Sequence, residues 1–444
     1  MLTFLHLSDI HFRNRSTGDQ FDLEAQLRRS MLNDIVSKPA NGADYDGLLI
    51  TGDIAFSGKK EEYDRAKSWL DEIYSMAAVP PENSYVIPGN HDVNRDMVVK
   101  NGAIWNNHAV LRNAENRIKR QETLQTQLVS DPACDPLATL AGFNEFAQGY
   151  ECRTAKNNLA WFHVFPKPLD DGSELRITGL NSALNSDSGD LIANLYVSPF
   201  QTSHLSDESG VINMVLCHHP PNWLLDQNDI EGILNRFVKV ALFGHEHSHR
   251  SRIVNDTVEL FAGAVHPVAR DPDWLPTYHI LQLEITGTGK ERKLVVRIHS
   301  REFRNYDHVF VRRSAAGGKD FEEYRINLKE WNRPVPVVIP IAPAPISGVS
   351  SGSAKMTVTS QPASTPPMVL RELLVHFHRL STPVRFKIVT KLGLLRDRDD
   401  FPPQQLWDLV FKRAREENRL SEMWDEIAKI DTSFAKRPNP FIKP

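Results

Sequence analysis

The stretch Val86-Ile87-Pro88-Gly89-Asn90-His91-Asp92 constrains this chain most. An apolar strand runs into a tight glycine turn, which presents an amide, an imidazole and a carboxylate side by side. Gly and Asn favour turns for backbone reasons alone, so this stretch by itself defines no site. It has companions, however: Ser8-Asp9-Ile10-His11, Thr51-Gly52-Asp53, Cys217-His218-His219 and Gly244-His245-Glu246-His247. Each follows an apolar run, so each is expected at the carboxyl end of a strand, where open α/β sheets collect ligands. Oxygen and imidazole donors without thiolate suit Mn, Fe, Ni or Zn.

The spacing within the clusters carries further expectations. Asp9 and His11 alternate along what reads as an extended segment, so both can face one cation while Ile10 points away. Asp53 can bridge two cations, because a carboxylate has two oxygens with several lone pairs. Asn90 offers a neutral carbonyl oxygen, and His245 and His247 are again two apart. His218 directly follows the strand Met214 to Leu216, which favours it over His219 as a ligand; His219 would then orient it or touch substrate. His249 and His266 read as supporting or surface histidines.

Read in order, the chain alternates strand and helix: Leu2 to Leu7, a helix over Asp22 to Val36, Leu48 to Ile50, a helix over Glu61 to Met76, then Tyr85 to Ile87. That rhythm implies a largely parallel, covered sheet. Residues 93–158 break it with helical patterns such as Ala114 to Leu128 and Leu137 to Phe146, read as an inserted helical cap. Strands resume at Leu159 to Phe165, Leu175 to Gly179, Ile212 to Leu216, Val238 to Phe243, Val258 to Phe261, His279 to Ile285 and Leu294 to His299. Phe310-Val311 and Tyr324 to Ile326 read as edges. The late strands lack intervening helices, which suggests a second, more antiparallel sheet packed on the first. The first domain thus extends over 1–328. From 333 to 367 Pro, Ser and Ala dominate and charge nearly vanishes, the composition of a tether. Residues 368–432 read as a small helical domain, with Leu373, Phe377 and Leu380 on one stripe and Leu420, Trp424 and Ile427 on another. Thr382-Pro383 starts one of its helices and Gly393 stops it.

Composition bounds partners and location. A net charge of −4 over 444 residues leaves no overall electrostatic footprint for nucleic acid. Three cysteines argue against a disulfide framework. The stretch Met1 to His6 has no basic lead before Asp9, and no apolar run is long enough to span a membrane, so a cytoplasmic protein is expected.

Together the clusters resemble the pattern of the calcineurin-like metallophosphoesterases: Asp-x-His, Gly-Asp, Gly-Asn-His-Asp/Glu, a His after a strand, then Gly-His-x-His. The match runs from about Met1 to Ser300 and lacks no element. The resemblance implies a four-layer αββα sandwich, here with a helical insertion and a small all-α C-terminal domain. It also implies a dinuclear centre of two divalent metal ions. By the resemblance, Asp9, His11, Asp53 and His247 hold one metal, and Asp53, Asn90, His218 and His245 hold the other. A metal-bound hydroxide then attacks phosphorus. His91 is expected as general acid, with Asp92 accepting its other ring N–H. Arg95 and Asn181 are candidate substrate contacts, together with His219.

The leading expectation is a metal-dependent phosphodiesterase acting on a nucleotide or nucleic acid, because His218-His219-Pro220-Pro221 resembles the family's small-diester branch. A DNA or RNA nuclease effector of bacterial defence and a protein serine/threonine phosphatase are the alternatives. The C-terminal segment is similar to effector-associated helical adaptor domains of bacterial conflict systems. That implies a protein partner or self-association through 368–430, and a partner-binding scaffold is the alternative of another class. Charged faces at Arg396 to Asp399 and Lys412 to Arg415 are its expected contacts.

Overall fold

Apolar runs that need cover on both faces build two stacked sheets. The computed structural model describes residues 1–13, 24–129, 135–266, 275–331, 382–395, 403–430 and 439–441, with Leu373, His376, Phe377 and Leu380. The chain separates into two units, Met1–Arg333 and Pro334–Pro444.

In the first unit, β1 (Leu2–Leu7), β2 (Gly47–Ile50) and β3 (Ser84–Val86) run parallel. Their crossovers carry α1 (Ala25–Val36) and α2 (Lys60–Ala77). Among the described residues, four α-helices follow before the next strand: α3 (Arg95–Lys100), α4 (Gly102–Arg112), α5 (Arg117–Val129) and α6 (Ala141–Ala147). The second sheet holds β4 (Trp161–Val164), β5 (Glu174–Leu180), β6 (Val211–Cys217), β7 (Val240–Phe243), β8 (Arg250–Val254) and β9 (Thr257–Phe261), in the order β4-β5-β6-β7-β9-β8. Helix α7 (Gln227–Phe237) lies between β6 and β7 in the chain.

Alternation along the second sheet explains why its strands read as continuous apolar runs. Ile212, Met214 and Leu216 of β6 enter the core between the sheets. Val215 and Cys217 enter a separate cluster with Ile230 and Leu234 of α7. Both faces are buried, as a parallel sheet covered on each side requires. The sequence reading missed α7 and β8. Each had a signal: Ile230 and Leu234 lie one helical turn apart, and Asn255-Asp256 forms a two-residue hairpin turn with both residues at positive φ.

The late strands do not form a sheet of their own. Strands β10 (Thr277–Thr286), β11 (Lys293–Arg304), β12 (Val309–Arg312) and β13 (Glu322–Asn327) extend the first sheet, β10 pairing antiparallel with β1. The first sheet runs β12-β11-β10-β1-β2-β3, with β13 also on β11. The antiparallel character was correct and the membership was not, because apolar content cannot tell which free edge a strand will join.

The insertion is anchored scaffold. Ile104, Leu111, Leu124 and Phe143 join the main core, and Arg120 of α5 pairs with Asp226 at 2.6 Å. In the second unit, α8 (Thr382–Lys391), α9 (Pro403–Glu416) and α10 (Leu420–Ala428) enclose Leu373, Phe377, Leu380, Trp407, Phe411 and Trp424. Gly393 turns the chain after α8 with φ 62°. Within Lys412 to Arg415, Lys412 and Arg415 are exposed, whereas Arg413 is pinned to the Leu394 carbonyl at 3.0 Å and Ala414 is buried. The tether 333–367 and Arg396 to Asp399 lie outside the described residues.

Side-chain hydrogen bonds strap the two sheets together, Ser251 of β8 to Glu322 and Tyr324 of β13 at one end and Trp161 at the other. Trp161 on β4 lies opposite Gly179 on β5, where a Cβ would come within 2.2 Å of the indole. Its Nε1–H donates to the Val86 carbonyl on β3 at 3.0 Å. Trp161→Phe strands that buried carbonyl and should destabilise the fold by about 1–3 kcal/mol. Urea denaturation followed by far-UV circular dichroism checks this; an unchanged midpoint would remove the strap from the account.

Candidate metal centre

All five clusters emerge from carboxyl ends: after β1, β2 and β3 of the first sheet, and after β6 and β7 of the second. The backbone there is not the extended chain expected for Asp9 and His11. Strand β1 stops at Leu7, and Asp9 and His11 have φ 53° and 54°. Asp53, His245 and His247 are also left-handed, at 53°, 69° and 56°. Each such residue costs about 1–2 kcal/mol, and surrounding bonds must hold it. The Asp53 carbonyl accepts from both Ile10 and His11 N–H at 2.9 Å, and the Asp9 carbonyl accepts from His266 N–H at 2.9 Å.

The strain brings side chains together. Asp53 Oδ2 lies 3.2 Å from His11 Nε2 and 3.3 Å from His218 Nε2, while Oδ1 accepts the His91 backbone N–H at 2.7 Å. His11 Nδ1 sits 2.6 Å from the His266 carbonyl and His218 Nδ1 2.7 Å from the Thr51 carbonyl. A carbonyl accepts only, so each Nδ1 carries a proton and each Nε2 faces Asp53, able to donate to the carboxylate when the ring is protonated and to ligate a cation once that proton is lost. Asn90 Oδ1 lies 3.1 Å from His218 Nε2 and 3.0 Å from His245 Nδ1. Asp9 Oδ1 is buried without a hydrogen bond, 3.3 Å from His247 Nε2. The donor atoms of Asp9, His11 and His247 lie within 4.8 Å of one another, as do those of Asp9, Asp53 and His218. Converging lone pairs and an orphaned carboxylate oxygen fit divalent cations of the nitrogen- and oxygen-binding kind. Gly89 makes room: a Cβ there would fall 2.2 Å from Asp53 Oδ1.

Electrostatics follow from the crowding. Burial opposes the charge of Asp53, but His218 and His91 beside it and hydrogen bonds from His11 and His218 hold it well below the carboxylate range. Burial likewise opposes His218, yet Asp53 and then Asp9 raise it to about 9. Burial and the neighbouring His218 push His245 down to about 3.

The remaining candidates separate. His91 donates Nδ1–H to the Phe56 carbonyl at 2.8 Å, so Phe56 and not Asp92 orients it. Asp92 instead accepts from Gly89 and Ala55 N–H and the Tyr63 hydroxyl, each at 2.9 Å. It ties the β2 and β3 loops to α2. A backbone acceptor such as Phe56 leaves no mark in a sequence, whereas the polar Tyr63 inside an amphipathic helix was a usable signal. His219 is buried, its Nδ1 2.8 Å from Ser182 Oγ and its Nε2 without a partner. Its nitrogen joins those of His218 and His245 in a third possible donor group. Asn181 is buried and locked to Gln201, with its Nδ2 lacking an acceptor. His249 sits 3.3 Å from Glu322 and the His266 ring 3.3 Å from Glu24, while the His266 backbone braces Asp9 and His11.

Residues 2–249, more than half the chain, match the sequence profile described as calcineurin-like phosphoesterase. The chain belongs to that family. Residues 369–429 match a GTPase-associated adaptor domain. A curated relative, an uncharacterized metallophosphoesterase-like protein, YydB, of Bacillus subtilis strain 168, is 22% identical over 346 residues, 73% of this chain. This calcineurin-like phosphoesterase chain spans 64% of that relative's length. Solved structures similar to it include a dimetal phosphatase of Danio rerio, with 13% identity and TM-score 0.39 over 74% of this chain and 99% of that one. Another is Vacuolar Protein Sorting 29 of Cryptosporidium parvum, with 13% identity and TM-score 0.30 over 73% and 98%.

Metal binding to this phosphoesterase should be coupled to protons. His218 must give up its proton to ligate, and it holds that proton up to about 9. Affinity of the metal-free protein for Mn²⁺ or Zn²⁺ should therefore rise with pH toward that value, with proton release. Calorimetry in buffers of different ionisation enthalpy reads the release directly; proton-neutral binding would contradict the assignment.

Proposed function

We propose that the first unit is a metal-dependent phosphohydrolase with a dinuclear centre, acting on phosphodiesters of nucleotides or nucleic acid. The observation that carries this reading is the Asp53 carboxylate between the inward nitrogens of His11 and His218. Asp9, His11, Asp53 and His247 would hold one cation; Asp53, Asn90, His218 and His245 would hold the other. Bound there, two divalent ions supply an acidified water as nucleophile and neutralise phosphoryl charge. The chain's own residues do the rest. His91, with Nδ1 fixed on Phe56, has Nε2 left for proton exchange and delivers a proton to the leaving alcohol oxygen. Asp92 braces the two loops that set His91 and Asp53.

Asp53→Asn should lose metal and turnover together. His91→Ala should retain metal and slow turnover by roughly 10²–10⁴-fold, the deficit shrinking on esters with an acidic leaving group. Metal analysis with kinetics on p-nitrophenyl and alkyl diesters reads both; unchanged turnover in His91→Ala removes the acid role.

The adaptor match supports a second role, that of joining this hydrolase to a protein partner in the cytoplasm. Among the described residues, the core of the second unit runs from Leu373 to Ile427, with Phe441 packed against it. Truncation after Arg333 should leave turnover of a small diester intact and abolish capture of the partner. Lost turnover would show that the tail supports the active site.

A further inference from the structure

A pocket of about 360 Å³ opens between α3, α4 and the segment 187–188, lined by Arg95, Val98, Val99, Trp105, Asp187 and Ser188. That is within the size of small-ligand sites, about 300–1,000 Å³. Three features mark it as a binding place. Trp105 is 56% exposed and Val99 76%, an aromatic plate and an apolar side left uncovered at the pocket. Arg95 has a guanidinium with no hydrogen-bond or ion-pair partner among the described residues, its Nε already withdrawn from water. The walls are rigid: Asp187 accepts from His108 at 2.9 Å and from Arg112 at 2.9 and 3.0 Å, and Arg112 also holds the Asn185 carbonyl and Asp190. The one carboxylate in the wall is thereby consumed and does not repel an anion.

The pocket adjoins the candidate centre through Arg95. Arg95 opens α3 four residues after His91. The same side chain lines the pocket together with Trp105.

We infer that this pocket receives the nucleoside arm of a phosphodiester, with the base stacked on Trp105 and Arg95 paired to a phosphate oxygen. The inference rests on the phosphodiesterase reading and names the subsite that would give it nucleotide preference. An aromatic face takes any base, because every base has a π-face, and one such stack is worth about 1–3 kcal/mol. A free guanidinium matches phosphate oxygens in its fork.

The test uses the metal-loaded full chain and a phosphorothioate-linked dinucleotide carrying 2-aminopurine. Its fluorescence should be quenched on binding. Trp105→Ala should abolish the quenching and weaken binding roughly ten-fold, as loss of one stack predicts, and Trp105→Phe should restore most of the affinity. In turnover, the ratio of kcat/KM for an ordinary dinucleotide to that for glycerophosphoethanolamine should fall about ten-fold in Trp105→Ala, through KM. Equal binding by wild type and Trp105→Ala, or an unchanged ratio, overturns the subsite. Turnover of the aliphatic diester without dinucleotide binding overturns the subsite and leaves the phosphodiesterase standing. Quenching that needs Trp105, with no turnover of any ester, supports the subsite and overturns the hydrolase.

Discussion

Much of the structure depends on where Asp53 sits. Its carbonyl holds the Ile10 and His11 amides, its Oδ1 holds the His91 amide, and its Oδ2 lies between His11 and His218. One residue thus joins the loops after β1, β2 and β3 and meets the loop after β6 from the other sheet. Buried at 1% exposure, its charge is tolerable only because imidazoles and amide donors surround it. Removing any of those partners leaves a carboxylate uncompensated in a dry site.

The left-handed residues are the local cost of this convergence. Five candidate ligands adopt a conformation that L-residues avoid, and loop-to-loop backbone bonds around them offset the strain. Close approach adds a second demand, met where Gly89 leaves space for Asp53. The loops can be held this way because the strands feeding them are rigid: both sheets bury both faces, and Trp161 ties one sheet to the other.

Beside this rigid centre the insertion has two characters. Its inner side is core, through Ile104, Leu111 and Phe143. Its outer side leaves Val99, Trp105 and Arg95 without cover, next to a wall bolted down by Arg112. The C-terminal helices show the opposite economy: among the described residues most large apolar side chains close a small core, and Arg413 and Arg419 are tied to backbone carbonyls.

The sequence by itself determined which residues meet. Strand runs ending in Asp9, Asp53, Asn90, His218 and His245 follow from apolar periodicity and turn chemistry, which are local. It also favoured His218 over His219 as a ligand; the fold turns Nε2 of His218 toward Asp53 and brings a His219 nitrogen close to those of His218 and His245. Tertiary structure alone decided the rest. That β10 to β13 join the first sheet is a choice between edges of equal apolar character. That Asp9 and His11 converge through left-handed turns, not through strand alternation, depends on amides reaching the Asp53 carbonyl across loops. That Phe56 orients His91 while Asp92 braces the loops is a matter of backbone carbonyls and amides. Every residue carries those groups, so no residue type announces them, and only the folded chain selects which ones are within reach.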